Sequence, residues 1–153
     1  MMKRLISIAV LVAVAAAGVH AFKSHAATTL DLNKQIVSNF YTLAFNDHEP
    51  AKAVEKYVGG RYTQHNPSVP DGPQAFIEFV TRYSAANPHL HVDIKRMIAE
   101  GDLVVTHVLI TTAENDRGAA AMDIFRLEDG KIVEHWDVVQ PVPEKSANTN
   151  TMF

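Results

Sequence analysis

The sequence predicts an α+β fold in which three N-terminal helices pack on a curved antiparallel sheet, and three observations carry that prediction. Apolar residues recur at three-four spacing as far as Asn87-Pro88, they recur at spacing two beyond it, and an Asp129-Gly130 turn separates two alternating runs near the C-terminus. Helices in a block followed by a meander of strands bury their apolar faces by covering one side of a sheet. The length of 153 residues suits one domain, and 47% hydrophobic with 20% charged residues excludes wholesale disorder. The absence of cysteine removes disulfides, thiol nucleophiles and Cys-based zinc sites.

The first segment stands apart from the fold. Lys3 and Arg4 precede an apolar run from Leu5 to Val19, and small residues follow in Val19-His20-Ala21, Ser24-His25-Ala26 and His25-Ala26-Ala27. A positive start, a short apolar middle and an Ala-x-Ala-like end read as a secretory signal peptide over 1–27, cleaved on export. The run is shorter than the roughly 20 residues a membrane-spanning helix needs. The expected address is therefore periplasmic or secreted, with no membrane contact after cleavage. Removal of Lys3, Arg4 and Lys23 would leave 11 basic against 17 acidic side chains, a formal charge of -6. No basic cluster remains to bind phosphates, so a nucleic-acid partner is not expected.

The elements follow in order. From Leu30 to Phe45, the residues Leu32, Ile36, Val37, Phe40, Leu43 and Ala44 define one buried helical face, with Thr29 or Asp31 available as cap. Pro50 suits the first turn of a short second helix carrying Val54, Tyr57 and Val58, which Gly59-Gly60 is expected to stop. After an irregular stretch, Gln74 to Ala86 forms a third helix with Phe76, Ile77, Val80 and Tyr83 inward, ended by Asn87-Pro88. Leu90, Val92 and Ile94 then alternate with polar residues, Glu100-Gly101 turns the chain, and Leu103 to Thr112 is rich in β-branched residues. The last hairpin runs from Gly118 to Leu127 and from Lys131 to Gln140, leaving a domain over 28–143 and a polar tail, 144–153, expected to be flexible.

A two-residue turn would pair Leu127 with Ile132, Phe125 with Glu134 and Asp123 with Trp136. Asp123, Phe125 and Trp136 would then share a face, while His135, Asp137 and Arg126 would point to the other. A bulge would break this register. Neither face is purely polar, so one is expected under the helices and the other against a partner subunit. Asp123 lies mid-strand between Met122 and Ile124, where burial disfavours its charged form and suits a general acid or base; an aspartate bonded to a neighbouring strand is an equally good reading. His107 lies mid-strand in Val105-Thr106-His107-Val108 and could hold a carbonyl or shuttle a proton, or be a satisfied core histidine. Tyr62, Gln64, His65 and Asn66, with Phe125 and Trp136, are the candidates to line a pocket between helices and sheet, although Asn66-Pro67 is also a common turn signal. His89 and His91 share a strand face, but no third ligand follows at a diagnostic spacing, so no metal site is expected.

Tyr62-Thr63-Gln64-His65-Asn66-Pro67, Ala99-Glu100-Gly101-Asp102-Leu103-Val104-Val105 and the run from Asp123 to Asp137 resemble the SnoaL-like polyketide cyclase family of the NTF2-like superfamily. The resemblance covers Leu30 to Pro143. It implies a cone-shaped α+β barrel, commonly a homodimer through the outer sheet face. It also implies aldol cyclisation or isomerisation of a small hydrophobic carbonyl compound without cofactor or metal, with Asp123 as acid/base and His107 polarising the carbonyl. The short charged loop Glu114-Asn115-Asp116-Arg117-Gly118 and the export signal depart from that pattern and weigh against a polyketide substrate. A non-catalytic binding module for a small hydrophobic ligand is the alternative. Epoxide hydrolysis needs an Asp-Arg-Asp set, which the expected orientation of Arg126 disfavours.

Overall fold

The computed structural model describes residues 29–153, so the segment read as a signal peptide lies outside the described residues. Helix α1 spans 29–41 and continues as one π-helical turn, Thr42–Asn46. It buries Asn33, Val37, Phe40, Tyr41 and Ala44, a face spaced at four, three, one and three residues, while Leu32, expected inside, lies off that face and is exposed. After the π turn the Asn46 side chain bonds the strand backbone at both ends of its amide, donating to the Val92 carbonyl at 3.0 Å and accepting from the Val92 amide at 2.7 Å. Helix α2 covers Pro50–Tyr57 with proline in its first turn, and α3 covers Pro73–Ala86, buried through Phe76, Val80 and Ser84. No helix among the described residues is long and apolar enough to cross a membrane.

The sheet has five strands: β1 (Val58–Gln64), β2 (His91–Glu100), β3 (Leu103–Thr111), β4 (Ala119–Glu128) and β5 (Lys131–Pro141). They lie in the order β1-β5-β4-β3-β2, so the sheet is open. The last four form the expected antiparallel meander, whereas β1 runs parallel to β5, which makes the sheet mixed. Gly59-Gly60 therefore lies within a strand, beyond the helix it was expected only to stop. Gly59 sits where a Cβ would come within 3.0 Å of Val133 Cγ1, so the missing side chain lets β1 approach β5.

The turn at Asp129-Gly130 has positive φ at both central residues, and its first pairs are as expected: Glu128 with Lys131 and Leu127 with Ile132. The register then shifts by one residue, because Arg126 pairs with Glu134, leaving Val133 as the extra residue of a bulge. Beyond it Phe125 faces His135, Ile124 faces Trp136 and Asp123 faces Asp137, which corrects the expected Asp123–Trp136 pairing. Ile132 and Val133 are both buried, which simple alternation would forbid. Val37, Phe40, Phe76 and Val80 from the helices meet Val104, Val108, Phe125, Leu127 and Ile132 from the sheet in the core.

Candidate functional site

Between the helices and the inner sheet face lies a cavity of about 460 Å³, within the usual range for small-molecule sites. Its walls are mostly aromatic and aliphatic, with Tyr41, Phe45, Tyr62, Phe76, Phe79 and Phe125 among them, and its polar side chains gather at Gln64, Asn66, Asp123, His135 and Asp137. The π turn brings Phe45 to this wall, and strand alternation brings Asp123 and Phe125 there from β4. The bulge at Val133 turns His135 and Asp137 inward on β5. From β1, Tyr62 and Gln64 point in.

These groups form one continuous hydrogen-bonded chain. Asp123 and His135 are buried, at 7% and 8% exposure, and His135 Nε2 lies 3.2 Å from Asp123 Oδ1. The Asn66 backbone amide donates to Gln64 Oε1 at 2.9 Å, so that atom is the carbonyl oxygen. The same oxygen lies 2.9 Å from His135 Nδ1, which must therefore carry hydrogen. His135 Nε2 and the Asp123 carboxylate are both acceptors unless one is protonated, so their hydrogen bond requires one proton between them. Whichever atom holds it, the pair is electrically neutral. The imidazole has two aromatic neighbours, Phe125 tilted against it at 4.8 Å and Tyr62 stacked at 6.3 Å between centroids.

On the other side of Asp123, Thr106 donates to Oδ2 at 3.4 Å, and the Tyr41 hydroxyl lies 3.2 Å from Thr106 Oγ1. Since Thr106 spends its hydrogen on Asp123, Tyr41 is the donor to Thr106. Burial, and next the Asp123 charge, hold the Tyr41 phenol well above its ordinary value. Burial likewise raises Tyr62, with Asp123 and then Asp137 adding to it. Both phenols are neutral donors at any physiological pH. Asp137 closes the chain, with Asn66 Nδ2 bonded to both of its oxygens at 2.9 and 2.7 Å.

Of the residues expected in the site, Asp123, Tyr62, Gln64, Asn66 and Phe125 line this cavity. His107, His65 and Trp136 do not. Thr106, Val104 and Val108 take the inward positions of β3, so His107 pairs with Met122 on the outer face, where Arg96 lies 2.8 Å from its Nδ1 and Phe153 stacks on it at 5.5 Å. The expectation that His107 reaches the carbonyl beside Asp123 is corrected accordingly. Alternation also carries His65 outward, where it stacks on Trp136 at 4.6 Å and pairs with Glu134 at 2.9 Å. Arg126 binds Glu134 on the same outer side, away from Asp123, as expected. Sequence reasoning missed His135, Asp137, Tyr41 and Thr106. The adjacent apolar pair Ile132-Val133 was the one signal of a bulge that could have recovered the first two. Asp123, His135 and Asp137 also place potential metal-ligand atoms within 4.8 Å of one another, a grouping that no spacing rule suggested.

Solved structures share this architecture. TsrD from Streptomyces laurentii superposes with a TM-score of 0.61 at 22% identity, over 71% of this chain and 88% of that one. A proposed polyketide cyclase from Bacillus cereus gives 0.61 at 22%, over 71% and 74%. An NTF2-like protein of unknown function from Mesorhizobium loti gives 0.59 at 21%, over 72% and 93%. At these identities the likeness shows the fold, which is NTF2-like. No curated protein matches the chain in sequence. The SnoaL-like domain matches residues 37–135, from the buried face of α1 to the histidine paired with Asp123, and the chain therefore belongs to the SnoaL-like family.

Proposed function

We propose that this protein is an exported acid/base catalyst, working without a cofactor on a small hydrophobic carbonyl compound, and that Asp123 and His135 move the proton. The carrying observation is the neutral Asp123–His135 pair in the wall of an apolar cavity. In this reading, the pair in its Asp-carboxylate state removes a proton alpha to the carbonyl. The enolate then attacks a second carbonyl of the same molecule, and the alkoxide so formed takes the proton back from the Asp123 carboxylic acid; in an isomerisation that acid instead returns the proton to another carbon of the enolate. Gln64 holds the His135 tautomer, so Nε2 is the atom that exchanges protons with Asp123. The neutral phenol of Tyr62 is a donor available to the developing oxyanion. The export signal over 1–27 supports a periplasmic or secreted address. The apolar outer sheet face supports a homodimer.

A specific observation favours the alternative, a binding module. Both oxygens of Asp123 are already engaged in hydrogen bonds within the protein, as those of a purely structural carboxyl group would also be. Two measurements separate the readings. Mass spectrometry of small molecules that co-purify from the native host supplies a ligand. Solvent deuterium wash-in at its alpha carbon then reports proton transfer. The catalytic reading expects wash-in that Asp123→Asn slows by about a hundred- to ten-thousandfold. A bound carbonyl compound that exchanges no faster than in buffer would leave only the binding module, and an Asp123→Asn protein that exchanges it as well as wild type would overturn the assignment of proton transfer to Asp123.

A further inference from the structure

The charges around the cavity do not cancel. The Asp123–His135 pair is neutral by its hydrogen bonding, and neither lysine nor arginine lines the cavity among the described residues. With His135 already bonded to Asp123, the grouping of Asp123, His135 and Asp137 keeps one net negative charge, and among the described residues lining the cavity Asp137 is its source. Among the described residues the hydrogen bonds to Asp137 come from the uncharged Asn66 amide, which fixes both oxygens through Nδ2 while leaving their remaining lone pairs to a ligand. Asp137 is half-buried, so water screens it less than a surface carboxylate. Phe45, Tyr62, Phe79 and Tyr83 also line the cavity, and aromatic rings attract cations that lie over their faces.

We propose that Asp137, positioned by Asn66, is the counter-ion for a protonated amine, so that the natural ligand is a largely aromatic or aliphatic molecule bearing one basic nitrogen. This rests on the reading of the cavity as a small-molecule site and adds the ligand's charge. A carboxylate or phosphate ligand would meet the Asp137 charge with nothing to balance it. A neutral ligand would fill the apolar part and leave Asp137 to water.

The test uses three probes of one size, naphthylmethylamine, naphthylmethanol and naphthoate, titrated into the protein near neutral pH by ligand-observed NMR. The amine is expected to bind about tenfold more tightly than the alcohol, the ratio of a charge-assisted hydrogen bond, and naphthoate most weakly. Asp137→Asn should bring the amine-to-alcohol ratio close to one. If that variant does not fold, the wild-type ratio should still fall as ionic strength is raised. Equal binding of amine and alcohol overturns the proposal and leaves the cavity reading standing. Naphthoate binding that EDTA abolishes would place a metal ion on Asp123, His135 and Asp137, and would overturn it too. Failure of all three probes removes the cavity reading together with the inference.

Discussion

At the scale of single residues, the two buried phenols beside Asp123 have a consequence for stability. Tyr41 and Tyr62 keep their protons in the folded protein beyond the value near 10 at which an unfolded tyrosine loses its own. Above that pH the folded form binds more protons than the unfolded chain, so stability falls as pH rises from about 10 toward the folded values, and this effect is absent below. In a protein carrying Tyr57→Phe and Tyr83→Phe, the phenolate absorbance of Tyr41 and Tyr62 should therefore appear only together with loss of helical circular dichroism. Ionisation while the helix signal persists would contradict their burial. Asp123 and the polar set Tyr62, Gln64 and Asn66 were legible in the sequence as candidates, because residue chemistry is a local property, although the strand that turns Tyr62 and Gln64 inward was not. Tyr41 and Thr106 were not: a tyrosine on a helix and a threonine on a strand carry no mark of meeting across 65 residues.

At the scale of elements, two joints hold the site in register. Asn46 closes the π turn onto β2, and replacing it with alanine leaves the Val92 amide and carbonyl without their partner, a cost of about 1–3 kcal/mol in chemical denaturation. The loop before β4 turns on Gly118, whose φ is +71° and where a Cβ would overlap the Ile110 carbonyl oxygen. Gly118→Ala should lower stability by at least about 2 kcal/mol, through left-handed backbone strain and this overlap together. A stability change within about 0.5 kcal/mol would mean that the loop repacks freely. The helix positions and the strand meander were readable from period and turn chemistry. Strand β1 was hidden by Gly59-Gly60, which resembles a helix stop and earns its place only through the close approach to Val133.

At the scale of the molecule, the outer sheet face exposes Ile98 at 63% and Val138 at 71%, with Met122 and Ile124 beside them. The C-terminal residues cover part of it, Phe153 resting on His107 with the Lys95 ammonium 5.6 Å from its ring centroid, although 142–153 has no regular structure. Such a patch fits a homodimer through this face. Sedimentation at micromolar concentration should give twice the monomer mass, and Val138→Lys should shift it toward the monomer; a monomeric wild type would count against the dimer. Sequence alone determined the fold class, the order of the helices and meander, and that Asp123 and Phe125 share a strand face, because periodicity and turn residues act within a few positions along the chain. Tertiary structure decided which imidazole joins Asp123. One extra residue at Val133 reverses every later side chain of β5, bringing His135 and Asp137 into the cavity and sending Trp136 out. Whether a strand bulges depends on how its neighbours pack, with Gly59 on one side and the core on the other, and that competition is settled only when the sheet is assembled.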